Sequence, residues 1–406
     1  MDAETVDTLV IGAGQAGLAM SCCLSQAGCA HLVVERARVG ERWRAERWDS
    51  LAFQFPNWSV GLPGLAFAGG LADGFTGRDE VVGFLEAYAT AIAAPVRTGV
   101  AVRRLARGPG GFVAETGAGA IRAAQVVVAT GPYQRPVIPA AARGLDGVAQ
   151  LHARDYRNPG LLPAGAVLVV GSGASGCQIA EDLVRAGRTV WLSVGSHRRA
   201  PRRYRGFDFQ HWEAVLGEWD RPAAERPASE PPPLLTGVAG GRDMDIRELA
   251  EMGVRLLGRL TGAEAGAARF APDLAQTLAR GDALYARYLA QIDAHAAALG
   301  LDLPPPDPAP RRPDPPAPPA ELDLAREGIG CVIWATGYGL DLGWIEAPGA
   351  LSAEGAPIHA GGVGAVDGLY FLGLPWLSKR KSTLLAGVGE DAERLAAHIA
   401  GRAEAA

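Results

Sequence analysis

Two glycine-punctuated turns, each between an apolar strand and a helix, constrain the fold more than any other feature of this sequence. The first is LVIGAGQAGLAM at residues 9–20 and the second is VLVVGSGASGCQIA at residues 167–180. In a Gly-x-Gly-x-x-Gly turn the glycines permit the tight turn, the approach of a pyrophosphate, and the packing of helix on strand. The pair predicts an α/β protein with two Rossmann-like dinucleotide-binding domains.

The first turn is followed by a second strand, HLVVE, which ends in an acidic residue eighteen positions past the last glycine. A carboxylate at that point accepts hydrogen bonds from a ribose, and the N-terminus of the preceding helix attracts the phosphates. The sequence therefore predicts an adenine dinucleotide here. The expected contacts are Gly12, Gly14, Gln15, Ala16, Gly17 and Glu35.

The second turn has a different partner strand, RTVWLSVGS, which carries no acid. We expect Ser193 at the position that matches Glu35, and the arginine-rich stretch HRRAPRR follows. Because a carboxylate repels the 2′-phosphate of NADP whereas serine and arginine bind it, the pattern favours NADPH. A solvated basic turn is the alternative interpretation of the arginines. The expected contacts are Gly171, Gly173, Ala174, Ser175, Gly176, Ser193, Arg198 and Arg199.

The stretch RARVGERWRAERWDSL after Glu35 resembles the flavin-containing monooxygenases, which are class B flavoprotein monooxygenases. The resemblance implies FAD at the first site. It places Asn57, in SLAFQFPNWSVGLPG, at the position of an active-site asparagine near the flavin. Two alternatives stay open: a tryptophan at position 43 that only packs in the core, and an asparagine that only serves a turn. The further FAD contacts that it implies are Arg36, Gly40, Trp43, Arg44, Val102 and Leu377.

Two strand-like runs end in the same tripeptide, VVVATGPY at 126–133 and VIWATGYG at 332–339. By resemblance to two-dinucleotide flavoproteins they mark the connections between the domains, with Thr130, Gly131, Thr336 and Gly337 near the cofactors. The FAD domain is then discontinuous, comprising 1–157 and 321–406, and the NADPH domain of 158–320 is inserted into it.

Beyond about residue 205 the inserted part is less regular. Residues 245–262 and 272–299 are expected to be mainly helical, although GVRLLGRL within the first of these is also compatible with a strand. The proline-rich stretch 304–319 predicts a stiff polyproline-II connection. Residues 368–377 are typical of a buried strand of the FAD domain.

The C-terminal stretch SKRKSTLLAGVGEDAERLAAHIA predicts a helix with Ser382 or Thr383 as its N-cap. In the resembled family the positive end of this helix faces the flavin. The linker stretch GLDGVAQLHARDY departs from the family's F-x-G-x-x-x-H-x-x-x-Y/F fingerprint, and a structural role is favoured for His152. Tyr156 stands where Baeyer–Villiger relatives usually have tryptophan, which favours N- or S-oxygenation.

Composition excludes several classes of function. The net charge is −5 and the pI about 5.9, so binding of nucleic acid is not expected. No apolar run reaches the roughly 20 residues that span a bilayer, so we expect a cytoplasmic protein without membrane contact. The five cysteines show neither C-x-x-C nor metal-ligand spacing, which argues against a disulfide reductase and a metal site.

The resemblance implies an NADPH-dependent FAD monooxygenase that forms a C4a-hydroperoxyflavin and oxygenates a small soft nucleophile, an amine nitrogen or a sulfide sulfur. Its partners are then a small-molecule substrate and O₂, and a homodimer is compatible with it. Two alternatives remain. One is an NADPH oxidase or reductase without oxygen insertion, and the other is a redox-regulatory flavoprotein associated with a transport system.

Overall fold

The computed structural model describes residues 4–145, 147–306 and 312–405. In chain order the strands are β1 (Glu4–Ile11), β2 (His31–Val34), β3 (Gly61–Leu62), β4 (Leu65–Ala66), β5 (Val96–Arg97), β6 (Val102–Gly108), β7 (Gly111–Thr116), β8 (Gly119–Val128), β9 (Arg135–Pro136), β10 (Ala149–His152), β11 (Ala166–Val170), β12 (Val190–Ser193), β13 (Arg198–Arg199), β14 (Arg203–Tyr204), β15 (Phe207–Asp208), β16 (Pro233–Thr236), β17 (Arg242–Asp243), β18 (Arg255–Leu257), β19 (Leu260–Glu264), β20 (Ala267–Phe270), β21 (Glu321–Asp323), β22 (Ile329–Trp334), β23 (Tyr338–Gly339), β24 (Ile345–Glu346), β25 (His359–Ala360), β26 (Val363–Gly364) and β27 (Leu369–Phe371). The helices are α1 (Gln15–Gln26), α2 (Glu41–Ala45), α3 (Arg78–Ala91), α4 (Ala174–Arg185), α5 (Phe209–Val215), α6 (Ile246–Glu251), α7 (Leu274–Leu299) and α8 (Val388–Ala405).

The first large sheet combines strands from both ends of the chain. Its main order is β24-β6-β7-β8-β1-β2-β5, with β27 paired parallel to β8. Strands β1, β2 and β8 are parallel, and their C-terminal residues are buried, as expected where helices cover both faces of such a sheet. Strand β27 is buried within this sheet, as predicted for 368–377. The α/β fold class is thereby confirmed.

The second large sheet is parallel throughout, with the order β10-β22-β11-β12-β18. It includes β10, which precedes the predicted boundary at 157, and β22, which follows the predicted boundary at 320. At these two strands the observed pairing differs from the sequence-based domain limits. The physical reason is that a strand's sheet is decided by pairing partners distant in sequence, which composition does not reveal.

The chain crosses between the two sheets twice, and the two crossings pair with each other. Strand β9 on the outward path is antiparallel to β23 on the return path. Thr336 Oγ1 donates to the Val137 carbonyl at 2.5 Å, and the Val137 amide donates to the Gly337 carbonyl at 3.0 Å. The two ATG segments therefore lie at the connections between the sheets, where they were expected.

Several predicted elements of the inserted part are present with altered limits. The long helix expected over 272–299 is α7. The stretch 245–262 contains only the short helix α6, and GVRLLGRL forms the strand β18, the alternative left open by the sequence. In the proline-rich stretch 304–319, residues 307–311 lie outside the described part, and the others belong to no helix or strand.

The predicted start of the C-terminal helix was wrong. Residues Arg380–Thr383 form a short 3₁₀ turn, and α8 begins only at Val388. The hydroxyl of Ser382 instead accepts hydrogen bonds from the amides of Ser378 and Lys379, so it closes the turn before the helix. Among the described residues, no helix is long and apolar enough to cross a membrane.

Candidate functional site

The first glycine turn lies at the carboxyl end of β1, between that strand and α1. The backbone of Gly12 has φ +111°, and a Cβ there would meet the Ala129 carbonyl oxygen at 2.7 Å. A Cβ on Gly17 would meet the Gly12 carbonyl oxygen at 1.8 Å, whereas a Cβ on Gly14 would meet nothing within 4 Å. Gly12 and Gly17 are thus required by the protein itself, while the space over Gly14 is open for a ligand.

The turn carries a carboxylate at its side, as predicted. Glu35 follows β2 directly, and its side chain accepts hydrogen bonds from the amides of Ala13 (2.9 Å) and Ala37 (3.0 Å). These two bonds fix the carboxylate beside the first glycine turn. Its neighbour Arg36, a predicted FAD contact, forms an ion pair with Glu46 at 3.4 Å.

The helix that opens at this turn is anchored at its N-terminal end. Gly14 is the N-cap of α1, so the first amides of the helix lie behind the open space. Gln15 Nε2 donates to the Thr383 carbonyl at 2.7 Å, and Ala16 is buried against Gly373. The segment before α8 is therefore held at the start of α1.

The stretch that carries the family resemblance folds into α2 and its flanks. Gly40 is left-handed with φ +67° and its amide donates to the Ala13 carbonyl, so this stretch also packs against the first glycine turn. Trp43 is half-buried, with its ring edge-to-face with Phe53 at 5.4 Å. Arg44 pairs with Glu86 at 2.5 Å, while its buried Nε has no hydrogen-bond partner.

The second glycine turn repeats the geometry of the first. A Cβ on Gly171 would meet the Ala335 carbonyl oxygen at 2.5 Å, and one on Gly176 would meet the Gly171 carbonyl oxygen at 1.9 Å. Gly173 is again open and is the N-cap of α4. Ala174 and Ser175 form the first turn of that helix, where Ser175 is exposed. Both sites thus offer an open glycine backed by a helix N-terminus.

The two turns can be aligned by their hydrogen bonds, and the alignment corrects one prediction. The Gly12 amide donates to the carbonyl of Val34, and the Gly171 amide donates to that of Ser193. Ser193 therefore matches Val34, and the residue at the position of Glu35 is Val194. Ser193 is buried, and its hydroxyl donates to the Gly258 carbonyl at 3.0 Å. The sequence of an apolar strand does not show where the strand ends, and Ser193 was therefore aligned with Glu35 one residue too early.

The two arginines expected at the 2′-phosphate are engaged elsewhere in this structure. Arg198 pairs with Glu213 at 3.1 Å and with Glu230 at 3.1 Å, and its side chain is 14% exposed. Arg199 pairs with Asp245 at 3.1 Å and with Asp282 at 2.9 Å, and it is 9% exposed. Their partners lie far along the sequence, which is why the basic stretch alone did not reveal these pairs.

The two ATG segments occupy equivalent places beside the two turns. Ala129 precedes Thr130 and Gly131 and contacts Gly12, as Ala335 precedes Thr336 and Gly337 and contacts Gly171. Each segment follows the strand next to a fingerprint strand, β8 in one sheet and β22 in the other. The duplicated nucleotide fold thus includes the adjoining strand end.

The linker histidine has the structural role that the sequence favoured. His152 Nε2 lies 3.1 Å from the Gly337 carbonyl oxygen, and its Nδ1 accepts from the Arg154 amide at 3.2 Å. The ring also meets Tyr338 edge-to-face at 4.8 Å. Burial lowers the pKa of His152, so the ring is held neutral at the crossing between the sheets.

Asn57 lies in a 3₁₀ turn and is 6% exposed. Its Nδ2 donates to the carbonyls of Gly69 (3.2 Å) and Leu71 (2.9 Å), which fixes the orientation of the amide. The buried Oδ1 has no hydrogen-bond partner. A buried acceptor without a donor is costly, so this unsatisfied oxygen calls for an explanation.

The two remaining predicted contacts lie in the first unit, the part of the protein built around the first large sheet; the second unit is the part built around the second large sheet. Val102 begins β6 and is half-buried. Leu377 belongs to the first hydrophobic core, where its side chain lies close to Gly362. Next to it, Trp376 has φ +56°, an uncommon conformation for a bulky residue. The side chain of Leu377 is thus occupied by packing, and only its backbone is left for a cofactor.

The residues after Leu377 carry three basic side chains. Lys379 and Lys381 each pair with Asp220 and Glu390, and Arg380 pairs with Glu213, Glu218 and Glu230. These carboxylates offset the positive potential that was expected near the flavin.

Arg202 is a buried structural residue that the sequence did not single out beyond its basic stretch. Its side chain is 2% exposed and binds both carboxylate oxygens of Asp208, at 2.8 and 2.7 Å. Its third nitrogen donates to the Gln54 carbonyl at 2.7 Å, and its guanidinium lies over Phe75. Arg202 thus joins the inserted part to the first unit. Its neighbours in sequence gave no signal of this.

Burial also accounts for the cysteines. Cys22, Cys23, Cys177 and Cys331 are buried, and burial raises the pKa of the Cys23 thiol to about 12 and that of Cys331 to about 11. Because the thiolate is the reactive form, these side chains are unsuited to disulfide exchange.

Comparisons with known proteins agree with this geometry. The family described as pyridine nucleotide-disulphide oxidoreductase matches residues 9–206. An uncharacterized CzcO-like oxidoreductase of Geobacillus kaustophilus is 35% identical over 96% of this chain and 97% of its own length. An indole-3-pyruvate monooxygenase, YUCCA1, of Oryza sativa is 33% identical over 44% of this chain and 45% of its own.

Solved structures share the fold at low identity. A flavin-containing monooxygenase from Stenotrophomonas maltophilia aligns with a TM-score of 0.69 at 18% identity, covering 98% of this chain and 99% of that one. A bacillithiol disulfide reductase from Bacillus cereus aligns with a TM-score of 0.64 at 15% identity, over 98% and 100%.

The fold, the two open glycine turns and their strand ends define a flavoprotein oxidoreductase with two dinucleotide-binding units. Within that class, the chain belongs to the family of the CzcO-like oxidoreductases. The fold that it shares with a flavin-containing monooxygenase agrees with the resemblance predicted from the stretch after Glu35.

Proposed function

We propose that this protein is an NADPH-dependent FAD monooxygenase that inserts one oxygen atom into the nitrogen of a small amine or the sulfur of a small sulfide. The reaction consumes NADPH, a proton, O₂ and the substrate, and it yields NADP⁺, water and the oxygenated product. One observation carries the proposal: the chain repeats one nucleotide turn, but only the first copy has a carboxylate beside it.

FAD is the cofactor of the first site, and the residues there fit it. The space over Gly14 admits a pyrophosphate, which the N-terminus of α1 attracts. Glu35 accepts hydrogen bonds from the ribose, since its carboxylate is already oriented by two backbone amides. FAD, when bound, supplies the activation of O₂, and the chain supplies binding, orientation and electrostatics.

NADPH is the cofactor of the second site. The space over Gly173 admits its pyrophosphate at the N-terminus of α4. The apolar Val194 at the position of Glu35 leaves no carboxylate to repel a 2′-phosphate. The pairing of β9 with β23 joins the two units. One chain therefore carries the site of the hydride donor, NADPH, and the site of the acceptor, FAD.

The chain's own contribution to oxygen transfer centres on Asn57. Its Nδ2 is held by two carbonyls of the loop 69–71, so only Oδ1 is left to accept a hydrogen bond from the flavin or the oxygen species. An amine or a sulfide needs little acid–base help, because its lone pair is itself the nucleophile. The requirement on the protein is to exclude water and orient the reactants.

The comparisons support this proposal at the level of the class. The rice relative is an indole-3-pyruvate monooxygenase by name, although it matches less than half of each chain. The alternative of a disulfide reductase finds no support in the buried cysteines Cys22, Cys23, Cys177 and Cys331. We place the activity in the cytoplasm.

Substrate-dependent NADPH use tests the proposal. Purified holoenzyme is reduced anaerobically with NADPH and then supplied with O₂ and either a tertiary amine or an alkyl aryl sulfide. We expect loss of the yellow oxidised-flavin absorbance in the first step. In the second step we expect a product heavier by one oxygen atom. Flavin reduction followed by peroxide alone would favour an NADPH oxidase, and negligible reduction would favour a redox-regulatory flavoprotein.

A further inference from the structure

The internal duplication extends beyond the two glycine turns to the third strand of each unit. The Glu35 amide donates to the Arg97 carbonyl at 2.9 Å, and the Val194 amide donates to the Leu257 carbonyl at 3.0 Å. These bonds make the end of β5 equivalent to the end of β18. Two residues further, Gly99 of the first unit corresponds to Arg259 of the second.

Two positions beside the nucleotide thus differ in charge between the units. The first unit has the carboxylate of Glu35 and the glycine at 99, while the second has the apolar Val194 and the cation of Arg259. A carboxylate suits a ribose with a free 2′-hydroxyl, and an arginine suits a 2′-phosphate. Both differences change the second unit in the direction that a 2′-phosphate requires.

The turn that carries Arg259 is fixed against the end of β12. The Ser193 hydroxyl donates to the Gly258 carbonyl at 3.0 Å and accepts from the Leu260 amide at 3.1 Å. Arg259 lies between these two anchored residues. The turn is therefore held in a fixed position beside the end of β12, where the adenosine ribose of a Rossmann unit binds.

The side chain of Arg259 is accessible, unlike those of Arg198 and Arg199. It is 64% exposed, and its Nε lies 3.6 Å from Asp273 Oδ2, a long ion pair. The other Asp273 oxygen accepts from the Arg259 amide at 3.0 Å, which holds that carboxylate at the backbone of the turn. Arg198 and Arg199, in contrast, are only 14% and 9% exposed and are held in short ion pairs.

We infer that Arg259 binds the 2′-phosphate of the nicotinamide dinucleotide and so determines the preference of the second site for NADPH over NADH. The inference rests on the proposed assignment of NADPH to that site. It moves this role from the basic stretch 198–203 to the end of the third strand. Charge-assisted contacts to phosphate supply the discrimination.

Binding of adenosine phosphates to the FAD-containing holoenzyme tests the inference without turnover. Titration calorimetry compares 2′,5′-ADP, which carries the 2′-phosphate, with 5′-AMP, which lacks it. We expect Arg259→Ala to weaken 2′,5′-ADP roughly tenfold or more and to leave 5′-AMP unchanged. Arg259→Lys should retain part of the affinity, because it keeps the charge and loses the forked geometry.

The chain offers a matched control on the same strand. Arg255 begins β18, is 54% exposed, and lies over the Trp191 ring, but at the amino end of the strand. Arg255→Ala should change the affinity for neither ligand. Arg198→Ala tests the earlier assignment, and we expect it to spare the difference between the two ligands.

Each failure has a distinct signature. A selective loss of 2′,5′-ADP affinity in Arg198→Ala, with none in Arg259→Ala, would overturn the inference alone. Equal affinities of wild-type protein for 2′,5′-ADP and 5′-AMP would overturn the inference together with the assignment of NADPH to the second site. No binding of either ligand would overturn the nucleotide assignment of the second site as well. If 2′,5′-ADP binds as expected but no oxygenated product forms, the inference stands and the proposed reaction fails.

Discussion

Arg198 and Arg380 bind the same two carboxylates, those of Glu213 and Glu230, although they belong to different units of the protein. Arg198 begins β13 after the second nucleotide turn, and Arg380 lies in the turn before α8. The Glu213 side chain is 3% exposed. This four-residue network therefore ties the second unit to the segment that also contacts the start of α1.

Removing the central carboxylate should destabilise the protein strongly. In Glu213→Ala the two guanidinium groups lose a common buried partner, and loss of one partner from a buried pair typically costs about 3–5 kcal/mol. Urea denaturation followed by tryptophan fluorescence measures the change. The exposed pair of Arg104 and Glu346 is the control, since Glu346→Ala should cost about 1 kcal/mol or less. Equal effects of the two substitutions would contradict the structural role of the network.

Substitutions at the two open glycines, Gly14 and Gly173, should affect the binding of FAD and of NADPH independently. In Gly14→Val the added Cβ meets no protein atom within 4 Å, and the side chain fills the space of the pyrophosphate, so the protein should fold and purify colourless. Gly173→Val should purify yellow and fail to be reduced by NADPH. Flavin content and anaerobic reduction measure both outcomes. A yellow Gly14→Val protein with full FAD would show that the first site is assigned wrongly.

Gly17→Val is the contrasting variant within the same turn. Its Cβ would lie 1.8 Å from the Gly12 carbonyl oxygen, so the backbone itself must shift. We expect this protein to be recovered mainly as aggregate. A soluble, yellow Gly17→Val protein would contradict the close packing of α1 on β1.

The two turns and their strands could be predicted from the sequence because these turns require glycine for local, steric reasons. Gly12 and Gly17 have no room for a side chain, and this requirement is visible as spacing alone. The positions of Val194 and Arg259 were not predictable in the same way. They follow from hydrogen bonds between strands. The one-residue register error at Ser193 arose because an apolar run does not show at which residue the strand ends.

The ion pairs of Arg198 and the late start of α8 were missed for a related reason. Glu213 and Glu230 lie on other elements, and only the folded chain brings them to the basic stretch. At the C-terminus, the hydroxyl of Ser382 has the chemistry of an N-cap, but it closes a 3₁₀ turn that local pattern does not distinguish from a helix start.

The linker histidine should make stability depend on pH. Burial lowers the pKa of His152 in the folded protein, whereas in the unfolded chain the pKa of its imidazole is about 6.5. As pH falls through that value the unfolded state binds more protons, so the free energy of unfolding decreases. Melting temperatures from about pH 7.5 to about pH 5.5 measure this slope. The slope should be shallower in His152→Gln, and parallel profiles would contradict the assignment.

Asn57 should govern how much oxygen chemistry is lost to peroxide. Asn57→Ala removes the unpartnered Oδ1 and the two bonds to the loop 69–71, so the fraction of NADPH converted to H₂O₂ should rise. We expect about tenfold, less than the roughly hundredfold or more that loss of an oxyanion donor costs. Asn158→Ala, which alters a surface contact with Asp49, is the control. No change in peroxide yield in Asn57→Ala would remove Asn57 from the active site.

The stoichiometry of NADPH, H₂O₂ and oxygenated product in one reaction tests the central claim most directly. Holoenzyme, NADPH and a sulfide or amine substrate are mixed under isotopically labelled dioxygen, and NADPH consumed, H₂O₂ formed and labelled product are all quantified. The monooxygenase account predicts one labelled oxygen atom in the product for each NADPH consumed, with little H₂O₂. Consumption of NADPH matched by H₂O₂, with no label in any product, would contradict it.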